Sequence, residues 1–142
     1  VDFVESVQKQ IILLREGLVR EVLDHFFAEQ GLMYSNGVLF GTGRKQCKQR
    51  QEPFLAAASN VCADIKEVSV DADKQLCAFR NRSKFDGPDG VERHIDGLHV
   101  QQWQDGLIGC EWYFNGEPME ELLEAGILSN PALIFEHTAQ KV

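Results

Sequence analysis

The chain predicts an α+β fold, with helices first, then a strand run broken by a helix, then long antiparallel strands. Three observations carry this expectation. Apolar residues recur at three- and four-residue steps near the N-terminus, and residues 76–85 alternate with period two. "HVQQWQDGLIGCEWYFNG" at 99–116 reads as two strands about a tight turn. A curved sheet wrapped around the helices would leave a cone-shaped cavity.

The elements follow in order. Asp2 is placed to cap a helix, with Glu5 three residues on in the reciprocal position. Val4, Val7, Ile11, Leu14 and Leu18 form an amphipathic stripe. Gly17 weakens that helix, and Val19, Val22, Leu23, Phe26 and Phe27 continue the period on a second segment as core. "GLMYSNG" at 31–37 predicts a short strand ending in an Asn-Gly turn. "GTGRKQCKQRQ" predicts a glycine turn into a helix, which Pro53, lacking an N–H, should interrupt. Val68 and Val70 mark a strand ending at "DAD".

Along 76–85, Cys77, Phe79, Asn81, Ser83 and Phe85 share one face, and Arg80, Arg82 and Lys84 the other. "DGPDG" is a turn, and residues 94–103 and 107–115 are a final pair joined at "QDG". Pro118 with Glu120 and Glu121 opens a helix that Gly126 stops, and a second short helix starts in "SNPALIFEH". There is no repeat and no low-complexity linker, so 1–142 reads as one domain with 117–142 as a C-terminal helical extension. Leu122, Leu123, Ile127, Leu128, Leu133, Ile134 and Phe135 make that extension too apolar for a free tail. It is expected to dock as helices, over the cavity mouth or on a partner subunit.

Composition narrows the function classes. The 142 residues are 44% hydrophobic and 25% charged, enough for a core without disulfide staples. A formal charge of −8 repels phosphate backbones, so a nucleic-acid partner is not expected. No apolar run approaches the roughly 20 residues of a membrane span. Residues 1–16 mix charged with apolar positions, unlike a signal peptide. The chain begins at Val1 rather than Met, which points to trimming and leaves room for a removed targeting segment. Cys47, Cys62, Cys77 and Cys110 show no CxxC spacing, so buried reduced thiols in the cytoplasm are expected rather than a zinc site.

Familiar catalytic motifs are missing: there is no GxSxG, P-loop or GxGxxG. "HID" at 94–96 has no third metal ligand at matching spacing, and neither metal nor cofactor is expected. Arg44, Lys45, Lys48 and Arg50 have no interleaved aromatics and read as a solvated helix face.

"FFAEQGLMYSNG…GTGR", followed much later by "HVQQWQDGLIGCEWYFNG", resembles the NTF2-like superfamily, specifically its SnoaL-like and ketosteroid-isomerase-like branch. The resemblance covers roughly residues 3–116. It implies a cystatin-like cone in which a curved antiparallel sheet wraps the N-terminal helices. It also implies a small apolar, polyketide-like or steroid-like ligand. Isomerases, cyclases, dehydratases, epoxide hydrolases and non-catalytic binding domains share this fold, as do small subunits of ring-hydroxylating oxygenases. The positions that carry steroid isomerisation in the family correspond here to Ile11, Ser35 and His99, so that mechanism is not supported.

Strand periodicity sorts the last hairpin. Ile95, Gly97, His99, Gln101 and Trp103 share one face, and His94, Asp96, Leu98, Val100 and Gln102 the other, so the two histidines point oppositely. On the last strand Glu111, Tyr113 and Asn115 alternate against Cys110, Trp112 and Phe114. The resemblance puts the polar set inside the cone, whereas burial alone would put the apolar set there. Two readings of the site follow. In the first, His99 exchanges a proton with Glu111 as its partner, and Tyr34, Asn81, Gln101, Trp103, Tyr113 and Asn115 line the ligand site. In the second, His99 is a satisfied core group. In either reading Leu98, Val100, Trp112 and Phe114 leave an apolar convex face, from which a homodimer through the sheet is expected.

Overall fold

A computed structural model describes residues 2–139. Helix α1 (Phe3–Arg15) starts on the Asp2 carboxylate, which accepts from the Val4 N–H at 3.0 Å. Glu5 does not close the box; it pairs with Lys9 instead, at 3.5 Å. Gly17, at φ +78°, turns the chain into α2 (Val19–Phe26), and a Cβ there would lie 2.1 Å from the Val61 carbonyl oxygen. The glycine thus serves both the turn and a close backbone approach.

Strands β1 (Phe27–Ser35) and β2 (Val38–Thr42) form a hairpin about Asn36 and Gly37, both at positive φ as a two-residue primed turn requires. Helix α3 (Arg44–Ala57) follows and corrects one expectation, because it runs straight through Pro53. The residue whose carbonyl Pro53 leaves without its helical partner is Gln49, and both positions are solvent-exposed, where water can replace the bond. The basic residues of α3 are also less idle than a solvated face: Arg44 donates to the Phe27 carbonyl, Arg50 to the Phe40 carbonyl, and Lys48 pairs with Asp24.

The remaining strands are β3 (Ser59–Asp64), β4 (Val68–Asp71), β5 (Leu76–Asp86), β6 (Glu92–Gln104) and β7 (Leu107–Phe114). The sheet runs β2-β1-β7-β6-β5-β3, with β4 also paired to β5. Pairing is antiparallel from β3 through β7, while β1 joins β7 in parallel. Register shifts at Met33/Tyr34 and Gln102/Trp103 help bend this curved, unclosed sheet around α1 and α2.

Each face of the sheet carries its own buried cluster. On the concave side, Phe3, Val7, Ile11 and Leu14 of α1 and Val22 and Leu23 of α2 pack against Phe27, Phe79, Trp103 and Ile108. On the convex side, Leu98, Val100, Trp112 and Phe114 meet Met119, Leu122, Ile127 and Ile134. The last four belong to α4 (Gly116–Ala125), α5 (Leu133–Ala139) and the turn between them. Gly126, left-handed at φ +94°, ends α4 as expected.

This docking revises two expectations. The extension does not lie over the cavity mouth; it packs on the chain's own convex face. The apolar patch that would support a sheet-to-sheet homodimer is therefore covered. Tethered helices reach that surface without the loss of translational freedom that a second molecule would incur. Packing on both sides also resolves the competition between Glu111/Tyr113 and Trp112/Phe114. The apolar set is buried outward and the polar set inward.

Candidate functional site

Two rows of side chains cross the concave face where the register places them. Cys77, Gln101, Glu111 and Met33 form one row across β5, β6, β7 and β1. Phe79, His99, Tyr113 and Ser35 form the next. His99 and Glu111 are diagonal neighbours between the rows, within reach of long side chains. The His99 Nδ1 lies 3.3 Å from the Glu111 Oε1. The structure thus brings these two residues within hydrogen-bond reach.

Above these rows opens a pocket of about 270 Å³. Its wall is mostly apolar, with Met33, Phe40, Phe54, Leu55 and Ile95 prominent, and its polar groups gather around His99. Among the described residues lining it there is no lysine or arginine. Asn81 Nδ2 sits 3.5 Å from the His99 Nε2, and the Ser83 hydroxyl donates to the Asn81 Oδ1 at 2.8 Å. That second bond turns the Asn81 amino group toward the imidazole, so Nε2 presents its lone pair. Glu111, accepting at the other end, leaves the ring proton on Nδ1.

The ring is held on both sides. Phe79 stacks on it with centroids 4.9 Å apart, and Tyr113 meets it edge-on at 5.1 Å. Even so, the His99 side chain keeps 17% of its surface exposed, against 10% for Glu111. The imidazole is reachable and the carboxylate stands behind it.

Burial disfavours the charged form of Glu111, yet the His99 bond and charge and the Gln101 bond together hold its carboxyl below the usual carboxylate range. Burial also raises the Tyr113 phenol, so this hydroxyl is a neutral donor. The same effect pushes the thiols of Cys47, Cys77 and Cys110 up to about 11, 12 and 12. Those thiols are inert at neutral pH. Cys62 departs from the buried expectation and is exposed on β3.

The structure divides the expected site residues. His99, Glu111, Asn81 and Tyr113 converge on the pocket. Tyr34 borders it while packing against the convex cluster, as a consequence of the β1 bulge. Gln101 and Trp103 share the concave face but lie below the pocket floor, 1% and 2% exposed. Gln101 donates to the Glu111 Oε1 at 2.5 Å, and the Trp103 indole N–H donates to the Gln101 Oε1 at 3.2 Å. Asn115 stands outside at the exposed end of β7, paired with Asn36, where it caps the turn rather than lining the pocket.

Sequence reasoning missed the α3 wall and one polar residue, Gln10. Gln10 is fully buried and pairs with Gln101 through two amide bonds of 2.9 and 2.6 Å. The signal was present: a glutamine three residues after Val7 and four before Leu14 occupies the apolar stripe. The α3 contribution had no such signal, since Phe54 and Leu55 follow the proline expected to end the helix.

Searches with the sequence find no matching protein-family model and no matching curated protein. Solved structures do match. A Mesorhizobium loti protein assigned as a SnoaL-like polyketide cyclase aligns with TM-score 0.66 at 15% identity, over 81% of this chain and all of that one. SalBIII, an epoxide hydrolase/cyclase-like enzyme with a role in pyran ring formation in the polyether salinomycin, gives 0.66 at 18% identity over 82% and 92%. An NTF2-like protein of unknown function from Burkholderia pseudomallei gives 0.63 at 9% identity over 87% and 96%. At these identities the likeness speaks for architecture alone. The chain has the NTF2-like, cystatin-like α+β fold in the form found in SnoaL-like proteins.

Proposed function

We propose that the protein binds a small neutral molecule in the concave pocket and transfers a proton on it, as an isomerase, cyclase or dehydratase needing only its own side chains. One observation carries this reading. His99 is held by an ionised carboxylate at Nδ1, while its Nε2 has only a long 3.5 Å contact with the Asn81 amide, which a substrate entering the apolar pocket can displace to reach the base. His99 Nε2 takes the substrate proton, Glu111 stabilises the imidazolium that results, and the neutral Tyr113 hydroxyl can hydrogen-bond an oxygen that gains charge. The neighbouring folds include a polyketide-cyclase assignment and an epoxide hydrolase/cyclase-like enzyme, which fits acid–base work on compact, oxygenated molecules.

The pocket also constrains the ligand. About 270 Å³ falls just under the roughly 300–1,000 Å³ of sites for drug-sized ligands, which favours one or two rings over a four-ring steroid. An anionic ligand would meet Glu111 with no lysine or arginine among the described wall residues to offset it. Four unpaired cysteines are consistent with work in a reducing compartment such as the cytoplasm.

A binding-only role has one observation in its favour, the clamping of His99 by Phe79 and Tyr113 as though it were core. One experiment separates the two. A library of neutral one- and two-ring carbonyl and hydroxyl compounds, with their carboxylate analogues, is screened for binding and then for turnover. Neutral compounds are expected to bind, and His99→Ala to cut turnover by about 10²–10⁴ with affinity kept within a few-fold. Preferential binding of the carboxylates would refute the ligand class. Unfolding of His99→Ala would return the imidazole to the core.

A further inference from the structure

Beneath the pocket floor lies a buried polar chain that the proposed proton transfer does not itself use. The Gln101 amide is fully engaged. Its two N–H groups go to the Glu111 Oε1 and the Gln10 Oε1, and its oxygen accepts from Gln10, Trp103 and Cys77. The Gln10–Gln101 pair is reciprocal, so turning both amides over would keep its two bonds. What such a turn would break lies on either side of the pair. The Gln101 oxygen would face Glu111, and its amino group would face an indole that can only donate.

A protonated Glu111 could tolerate the turned pair, because its O–H would donate to the Gln101 oxygen. Trp103 could not tolerate it in either protonation state. The indole is therefore the one fixed donor that rejects the turned arrangement however Glu111 is protonated. With Gln101 held, Glu111 must accept from it, so the carboxylate stays free to accept from His99 Nδ1 as well.

We propose that the Trp103 indole N–H, acting through Gln101 and Glu111, biases His99 toward carrying its ring proton on Nδ1, in concert with the Asn81 amide that faces Nε2. Trp103, Gln101 and Gln10 are positioning residues; none lines the pocket. This inference deepens the reading of His99 as a base and rests on it, since a lone pair on Nε2 is what that role requires. The titratable groups facing Glu111 are His99 on β6, the thiols of Cys47 on α3, Cys77 on β5 and Cys110 on β7, and the Tyr113 phenol. The thiols and the phenol are neutral near pH 7, so His99 is the neighbour whose proton the network governs.

The test is nitrogen-15 NMR of the imidazole in the intact protein, without ligand, read on the neutral ring. Wild type is expected to show His99 protonated at Nδ1, against the preference of free imidazole side chains in water for Nε2. Trp103→Phe keeps a ring against Phe3 and Phe26 and removes the N–H. It is expected to move the tautomer ratio roughly fivefold toward Nε2–H, the size of one lost hydrogen bond. Should that variant fold poorly, Gln10→Met/Gln101→Met removes both amides together and is expected to shift the ratio the same way.

A purely structural tryptophan would lower the melting temperature and leave the tautomer alone, which would overturn the proposal while leaving His99 as a base. Wild-type His99 protonated at Nε2 would overturn both. A shift in the variant with no turnover found for any ligand would keep the relay and remove the reaction.

Discussion

The two faces of the sheet are buried by different means. On the convex face, Leu98, Val100, Trp112 and Phe114 meet apolar side chains of the C-terminal region, and packing dominates the contact, with one long ion pair from Arg80 to Glu120 at 3.7 Å beside it. On the concave face the same strands contribute Gln101, Glu111 and His99, and every one of these has a hydrogen-bond partner. The convex cluster is therefore sensitive to volume, the concave network to donors and acceptors. Alternation along β7 places Glu111 and Tyr113 in one regime and Trp112 and Phe114 in the other. A stability function and a chemical function can thus sit on adjacent residues without sharing neighbours.

The largest effect expected from breaking this division comes from removing residues 117–142. Burying a large apolar side chain is worth about 1.5–3 kcal/mol. Several such groups on both sides of the convex contact would be exposed, and their sum rivals the roughly 5–15 kcal/mol of a typical domain. The truncated chain is expected to aggregate or lose its cooperative melt; a soluble protein with the parent melting temperature would show that the helices are dispensable.

Gly97→Ala strikes the concave side. A Cβ at 97 would lie 2.4 Å from the Tyr113 ring and hydroxyl, so Tyr113 must rotate. A stability loss of about 1–3 kcal/mol is expected, together with a change of pocket shape that weakens ligand binding. Urea denaturation and a binding titration read these separately, and unchanged binding would detach Tyr113 from the site.

Glu111→Gln sharpens the comparison through pH. The folded Glu111 carboxyl titrates below its ordinary value of 4.5. Its contribution to stability is therefore full above that value and is lost as pH falls through the depressed folded value. The glutamine variant is expected to be less stable at neutral pH, with a flatter decline between pH 5 and 3, measured by melting temperature. An acid limb identical to wild type would mean that Glu111 is not the group that titrates there.

The smallest effect belongs to neither face. Arg20 and Glu52 form an exposed ion pair at 2.5 Å between α2 and α3. Arg20→Ala is expected to leave the melting temperature unchanged, as exposed pairs contribute little; a clear drop would show that α2 and α3 depend on that link.

The sequence made the concave strand faces legible because period-two alternation is a local property. Phe79 with Asn81, His99 with Gln101, and Glu111 with Tyr113 share a side within their own strands by spacing, while it was the resemblance that put the polar set inside the cone. What alternation could not supply was the curvature of the sheet and the covering of its outer face. Both depend on contacts between residues far apart in the chain, such as Trp112 with Phe135. The helix through Pro53 was hidden for a similar reason, since a local rule about proline gave way where the freed carbonyl faces water. Gln10 was legible as an oddity on an apolar stripe, but its partner Gln101 lies 91 residues away.

The chain has two tryptophans, and the fold puts one in each compartment. Trp103 sits deep in the concave cluster beside Phe3 and Phe26, and Trp112 lies under α5 against Phe135. Trp112→Phe would leave an emission that reports on the hydrogen-bonded floor, and Trp103→Phe one that reports on the seal of the outer helices. Monitored together during unfolding, the two single-tryptophan proteins form a two-colour clock that shows which side of the sheet lets water in first.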